Sequence, residues 1–249
     1  MEKSVITKRP KVCITVKLCT LVLTTAMLLS FASCSKKDQT SVSSQDARNV
    51  SLSEAEIGSS VFFGSYEQNY AINGKEDIEW IVLAREDNRI LVISRYALDC
   101  QPYNTSYTDV TWETCSLRKW LNSTFLNDAF SAEEINMILS VNVSADKNPE
   151  YDTAPGNDTE DMVFLLSIAE VNKYFSSDDE RRCQVTEYGH VRDAYRDDDG
   201  YCWWWLRSPG DGTTEAAYVD IDSSVRCAGH GVSYNYYAVR PALWINLGS

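Results

Sequence analysis

Histidine and cationic side chains are scarce in this sequence. The 249 residues contain two histidines, His190 and His230, each beside a glycine. Few candidates therefore exist for a histidine general base, and no Cys-x-x-Cys pair or Cys/His spacing typical of a zinc site is present. The 23 Lys and Arg residues are outnumbered by 36 Asp and Glu, for a net charge of −13. Such a charge disfavours binding to nucleic acid.

The apolar stretch at residues 18–33 is too short to be interpreted first as a membrane-spanning helix. It follows a basic N-terminal region, and together they predict a secretory signal peptide over residues 1–33. The stretch ends in "FASC", which resembles a lipobox with Phe31 where leucine is usual. This resemblance implies that Cys34 becomes the lipidated mature N-terminus; the alternative is an ordinary signal peptide cut nearby. We therefore expect an exported protein, anchored by lipid to the extracytoplasmic face of the cell membrane.

Residues 34–56 contain few large apolar side chains and predict a flexible tether. Residues 57–249 are long enough for one domain with a full core. Five cysteines lie in that domain, an odd number, so their disulfide pairing stays open. Buried, unpaired thiols are an equally simple interpretation of Cys100, Cys115, Cys183, Cys202 and Cys227.

The order of predicted elements favours an α+β domain. Two apolar runs flank "REDNR" at residues 85–89, which predicts a β-hairpin. The segment "SLRKWLNSTF" has helical spacing, and the pairs Ser131/Glu134 and Ser167/Glu170 are capping boxes that open two further helices. Strands predominate at both ends of the domain, with helices between them.

An acidic loop is predicted at residues 144–161, where Pro149, Pro155 and Gly156 interrupt a polar run. Its carboxylates suggest calcium as a candidate ligand, but the EF-hand spacing is absent and a solvated loop is favoured. No metal-ligating residue, catalytic residue or cofactor is assigned.

The run "YCWWWLRSPG" at residues 201–210 is the most informative part of the chain. Side chains alternate between the two faces of a strand. Cys202, Trp204 and Leu206 are therefore predicted to face the core. Trp203, Trp205 and Arg207 would share the opposite face, which suits either packing under loops or stacking of a ligand.

Residues typical of binding surfaces follow this run along the chain. Together with Trp203, Trp205 and Arg207, we take as candidate ligand-binding residues Tyr218, Asp220, Asp222, His230, Tyr234, Asn235 and Tyr236. The alternative for each of these is an ordinary turn residue or strand-exterior residue.

The segments "WWWLRSPG", "AAYV" and "VRPALWINL" resemble a family of uncharacterised domains found in bacterial surface lipoproteins. More remotely, the order of a tryptophan-rich strand, a turn, "AAYVDID", a second turn and "YYAVRPA" resembles the C-type-lectin-like folds. These folds include formylglycine-generating enzymes and variable proteins of diversity-generating retroelements. The second resemblance implies a twisted antiparallel sheet with two or more flanking helices and long loops. It also implies that the first and last strands, near residues 61–63 and 243–247, pair with each other.

Two functions remain open from the sequence. The first is a cell-surface module that recognises an extracellular glycan or protein, including the case of a receptor diversified by a retroelement. The second is an extracytoplasmic enzyme of the formylglycine-generating or glycan-processing type. The formylglycine-generating relatives use a close cysteine pair, to which neither Cys202 nor Cys227 can be matched by motif.

Overall fold

A computed structural model describes residues 51–69 and 74–248 of the chain. The predicted signal peptide, Cys34 and the tether up to residue 50 lie outside the described residues. The end of the predicted tether packs against the domain. Arg85 donates hydrogen bonds to the main-chain oxygens of Ser53 and Ala55, and Ala55 is 1 % exposed.

The described residues form an α+β fold with short helices. The strands are β1 (Ser60–Tyr66), β2 (Glu76–Glu86), β3 (Arg89–Ser94), β4 (Asp99–Cys100), β5 (Val141–Val143), β6 (Thr159–Asp161), β7 (Val163–Phe164), β8 (Trp204–Pro209), β9 (Glu215–Val219), β10 (Val225–Gly231), β11 (Ala238–Val239) and β12 (Ala242–Asn246). The helices are α1 (Ser116–Trp120), α2 (Leu126–Ala129), α3 (Ala132–Ile135), α4 (Ile168–Tyr174), α5 (Asp178–Arg181) and α6 (Glu187–Val191). A 3-10 turn covers Leu52–Glu54, and a π-helical turn at Leu121–Phe125 joins α1 to α2.

The strands are arranged in two five-stranded sheets and one two-stranded sheet. The first sheet has the order β1-β2-β3-β12-β7 and is antiparallel throughout. The second has the order β10-β9-β8-β11-β4, with one parallel pair, β8 and β11. The expected pairing of the first and last strands is wrong: β12 lies between β3 and β7, because the β2–β3 hairpin places β3 next to it.

Local predictions agree with the structure. The hairpin turn falls at Asp87 and Asn88, between β2 and β3. Both capping boxes are formed, so that Ser131 opens α3 and Ser167 opens α4. None of the helices in the described ranges has the length and apolar character needed to cross a bilayer.

The two large sheets are linked by two residues, Arg240 and Pro241, which separate β11 from β12. Pro241 fits this position because proline has no N–H to donate within a sheet. The Arg240 side chain is 1 % exposed at this junction, and its Nε donates to the main-chain oxygen of Ser94 at 3.0 Å. The junction therefore buries a cation between the end of β3 and the end of β11.

Candidate binding surface

Strand β8 is buried along its whole length, on both faces. Trp204 and Leu206 are 0 % exposed, as predicted for a core face. Trp205 and Arg207, taken as candidate ligand-binding residues, are 0 % and 3 % exposed, so the structure agrees with the alternative of packing under loops. Trp203, immediately before the strand, is partly exposed.

Trp205 is covered by aromatic rings from two other segments. Tyr237 stacks on it with ring centroids 3.9 Å apart, and Tyr103 meets it edge-on at 5.9 Å. Its indole N–H donates to the main-chain oxygen of Gln101 at 3.1 Å. Because its ring is packed against two tyrosines and its N–H is hydrogen-bonded, Trp205 stabilises the core beneath the surface.

Arg207 fastens the acidic loop to the domain. Its guanidinium donates to the carboxylates of Asp146 and Glu170, and also to the main-chain oxygens of Ser144 and Leu165. A buried cation needs partners of this kind, since an unpaired charge in the interior is costly. The role of Arg207 in the structure is therefore to position residues 144–146 and the start of α4.

Trp203 is half-buried and has a fixed orientation. Tyr195 stacks on its ring at a centroid distance of 4.2 Å. Its indole N–H donates to Asp220 Oδ1 at 2.7 Å, and Asp220 Oδ2 accepts from Arg226 at 2.7 Å. Asp220 is thus a positioning residue for Trp203.

Arg226 also donates to the carboxylate of Asp222, at 3.1 Å. Asp222 is itself exposed and accepts from the backbone and hydroxyl of Ser224. The two predicted acidic residues are therefore joined by one arginine at the edge of the second sheet.

A row of aromatic rings continues from Trp203 across the surface. Tyr237 is buried beneath it, and its neighbour Tyr236 lies with its ring centroid 5.2 Å away. Tyr236 stacks in turn on Tyr234 at 5.3 Å, and Tyr234 meets His230 edge-on at 4.5 Å. We call the rings of Tyr195, Trp203, Tyr236, Tyr234 and His230 the aromatic row.

His230 is held by a buried phenol. Its Nδ1 lies 2.6 Å from the hydroxyl of Tyr237. Partial burial lowers the pKa of His230, with a smaller opposing effect from Glu215. Burial raises the pKa of Tyr237. Both groups are consequently neutral near pH 7, and the pair acts as a neutral hydrogen-bonded support for the row.

Two recesses open beside the aromatic row. The first has a volume of about 460 Å³, and its lining includes Tyr107, Glu215, His230 and Tyr234. The second has a volume of about 660 Å³, and its lining includes Tyr195, Arg196, Trp203 and Tyr236. Since Tyr234 and Tyr236 stack on each other, the pair contributes one ring to each recess. Both volumes lie in the range of small-ligand sites.

Gly231 allows the rings of the first recess to approach the backbone. A Cβ atom at this position would lie 3.1 Å from the Tyr234 ring and 3.3 Å from the Tyr107 ring. Tyr107 in turn donates from its hydroxyl to Glu215 at 3.0 Å. The wall of the recess is therefore formed by two tyrosines packed over a glycine.

A family model described as "Domain of unknown function (DUF6273)" matches residues 87–247. The chain belongs to this family. The match begins in the β2–β3 turn and includes every residue of the aromatic row. No curated protein and no solved structure matches the chain.

Two tyrosines of this DUF6273 domain's surface were missed by sequence reasoning. Tyr195 and Tyr107 are 42 % and 64 % exposed, and they come from segments outside the predicted C-terminal region. An isolated tyrosine in a polar loop gives no sequence signal for a site. Of the predicted residues, the structure brings Trp203, His230, Tyr234 and Tyr236 together, with Tyr218 meeting Trp205 at 6.5 Å beneath them. Asn235, which lies between Tyr234 and Tyr236 in the sequence, is exposed.

A buried carboxyl elsewhere in the DUF6273 domain, that of Asp99, is tied into internal contacts. Asp99 is 2 % exposed, and burial raises the pKa of its carboxyl. It nevertheless accepts hydrogen bonds from Tyr66 at 2.6 Å and from Arg192 at 3.1 Å. The Asp99 carboxyl therefore joins β1, β4 and the residue that follows α6, and Asp99 lines neither recess.

All five cysteines of the domain are free and buried. The thiol of Cys202 lies against Cys183, donating to its main-chain oxygen at 3.3 Å, whereas Cys227 lies on β10. Within residues 51–69 and 74–248, no group of three or more His, Cys, Asp or Glu side chains is placed to hold a metal ion.

Proposed function

We propose that this chain is an exported, lipid-anchored surface protein whose domain recognises an extracellular glycan or protein through the aromatic row. The observation that carries this proposal is the pair of recesses on either side of the stacked tyrosines, one lined by Tyr234 and the other by Tyr236. Rigid aromatic rings provide contact area at a small entropic cost, which is why tyrosine and tryptophan predominate in binding surfaces.

The contacts beneath the row support this function. Tyr237 and Trp205 fill the interior under it, and Asp220 fixes the indole of Trp203. A surface ordered before the ligand arrives loses less entropy on binding. The lectin-like architecture is part of the same proposal, since such folds present binding residues on irregular C-terminal loops above a sheet.

Localisation follows from the N-terminal sequence. The predicted signal peptide and the lipidated Cys34 would place the domain outside the cytoplasm, with residues 34–50 as the spacer. An acidic, membrane-tethered module of this kind suits recognition at a cell surface rather than binding to nucleic acid.

The experiment is a screen of glycan and protein arrays with the purified chain and with the double variant Tyr107→Ser/Tyr234→Ser. We expect specific signals for the wild type that are lost in the variant, because both exposed rings of the first recess are removed. Equal melting temperatures of the two proteins establish that the fold is retained. Hits of equal strength for both proteins would contradict the assignment of the surface.

A further inference from the structure

A third cavity, on the side of Arg240, contains a buried cation that has no carboxylate partner among the described residues. Its volume is about 640 Å³, and none of its lining residues borders either recess beside the aromatic row. We call it the arginine cavity, because its lining includes Arg95, Arg182 and Arg240. It is bordered by β2, by the ends of β3 and α4, and by α5.

Arg240 is the most informative residue of this cavity. It is 1 % exposed, and within residues 51–69 and 74–248 its guanidinium donates only to the main-chain oxygens of Ser94 at 3.0 Å and Arg181 at 3.3 Å. Its Nη2 makes no hydrogen bond to the described part of the chain, and no carboxylate there lies within 4.0 Å of it. Since a buried charge without a counter-charge is costly, this arrangement favours an external anion.

The lining of the cavity includes aromatic rings, among them Phe175 and Tyr201. The guanidinium of Arg240 lies 5.5 Å from the ring centroid of Phe175, and 5.0 Å from that of Trp204, which does not itself line the cavity. That of Arg182 lies 3.6 Å from the ring centroid of Tyr201. Arginines held over rings keep their planar N–H groups in place for a planar anion.

Some of the other charged residues that line the cavity already have a partner of opposite charge, and others do not. Arg95 is paired with Glu79 at 2.5 Å, whereas Arg182 donates only to the main-chain oxygen of Ile221 among the described residues. Asp179 and Glu180 also border the cavity, but both are exposed, so that solvent screens their repulsion of an anion. Two cations, Arg182 and Arg240, therefore remain available to a ligand.

We infer that the arginine cavity binds a small organic carboxylate, whose planar anion is held by Arg240 and Arg182 and whose body contacts the aromatic walls. A guanidinium matches a carboxylate through two parallel N–H···O bonds. The volume suits a molecule of a few rings or sugar units. This site is separate from the aromatic row, and the inference does not depend on the proposed function.

Calorimetric titration of the purified full chain with benzoate, benzamide and inorganic phosphate tests this inference. Benzoate and benzamide have nearly the same shape and differ in charge. We expect benzoate to bind and benzamide to bind at least about tenfold more weakly. The inference is overturned if the two bind equally, if only phosphate binds, or if benzoate shows no binding up to about 10 mM.

Variants place the binding in the cavity. Arg182→Gln is expected to weaken benzoate binding by about tenfold or more, while Arg89→Gln, an exposed arginine outside the cavity, leaves it unchanged. Arg240→Met retains an apolar side chain in the same space. It should abolish the rise in melting temperature that benzoate gives the wild type, measured from the melting temperature of the free variant. Full benzoate binding by Arg182→Gln, or an unaltered rise in Arg240→Met, would overturn the assignment.

Discussion

Neighbouring residues of the tryptophan run have different environments. Trp204 is fully buried and its indole N–H donates to the main-chain oxygen of Arg181, whereas Trp203 is half-buried at the aromatic row. The side chain of one residue therefore fills the core, while that of the residue before it forms part of the candidate surface. Alternation alone does not explain the difference, since Trp205 is also fully buried; Trp203 lies just before β8, where the strand is no longer covered on both faces.

Replacement of Trp204 by alanine should strongly destabilise the domain. Truncation of a packed tryptophan costs about 3–5 kcal/mol, since the lost contacts leave a cavity. Trp203→Ala is the matched control and should reduce the free energy of unfolding less, because part of its ring already contacts solvent. Urea unfolding of both variants provides the comparison. Equal stability of wild type and Trp204→Ala would show that Trp204 is not part of the core.

His230 should titrate below the usual range for histidine. Burial lowers its pKa, so the unfolded chain binds a proton more readily than the folded one. Its contribution to stability is present above the unfolded pKa of about 6.5 and is lost as the pH falls from there through the folded pKa. An NMR titration of the imidazole measures this pKa directly. A value at or above 6.5 would contradict the neutral His230–Tyr237 support.

At the scale of elements, helix caps differ in how much the fold depends on them. Ser131 and Ser167 both form capping boxes, but Ser167 is fully buried and its hydroxyl also donates to Asp146 at 2.6 Å. Asp146 accepts in addition from Arg207. The cap of α4 is thus part of the same network that holds the acidic loop.

Ser167→Ala should therefore destabilise the protein more than Ser131→Ala. Loss of a capping hydroxyl alone costs about 1 kcal/mol, which is what we expect for the exposed Ser131. The buried Ser167 variant also leaves a carboxylate hydrogen bond unmade, for a total of about 2–3 kcal/mol. Thermal or urea unfolding measures both. An equal decrease in the free energy of unfolding for the two variants would show that the hydrogen bond to Asp146 does not stabilise α4.

Sequence reasoning succeeded where the interacting residues are close along the chain. The hairpin at Asp87 and both capping boxes depend on partners within a few residues, so their signals are local. The burial of Arg207 depends instead on distant partners, since the carboxylates of Asp146 and Glu170 lie 61 and 37 residues away along the chain. The predicted pairing of β1 with β12 was wrong for the same reason, because strand pairing depends on residues far apart in the sequence. Long-range packing decided which members of the predicted surface became exposed.

At the scale of the whole molecule, the proposed membrane anchor depends on one residue, Cys34. Cys34→Ser should move the protein from the membrane fraction to the soluble fraction, because the lipid attachment is lost. Cys13→Ser, elsewhere in the predicted signal peptide, should leave the partition unchanged. Fractionation of cells expressing each variant provides the measurement. Membrane partition of Cys34→Ser equal to that of the wild type would contradict lipidation at this site.

The proposal that the aromatic row binds the ligand can be tested with two tyrosines of similar exposure. Tyr234 is 40 % exposed in the row, and Tyr151 is 37 % exposed and borders none of the three cavities. The measurement is the dissociation constant of the strongest array ligand for the wild type, Tyr234→Ser and Tyr151→Ser. We predict a rise of about tenfold or more for Tyr234→Ser, as for a central aromatic contact, and no change for Tyr151→Ser. Equal dissociation constants for all three proteins would contradict the account.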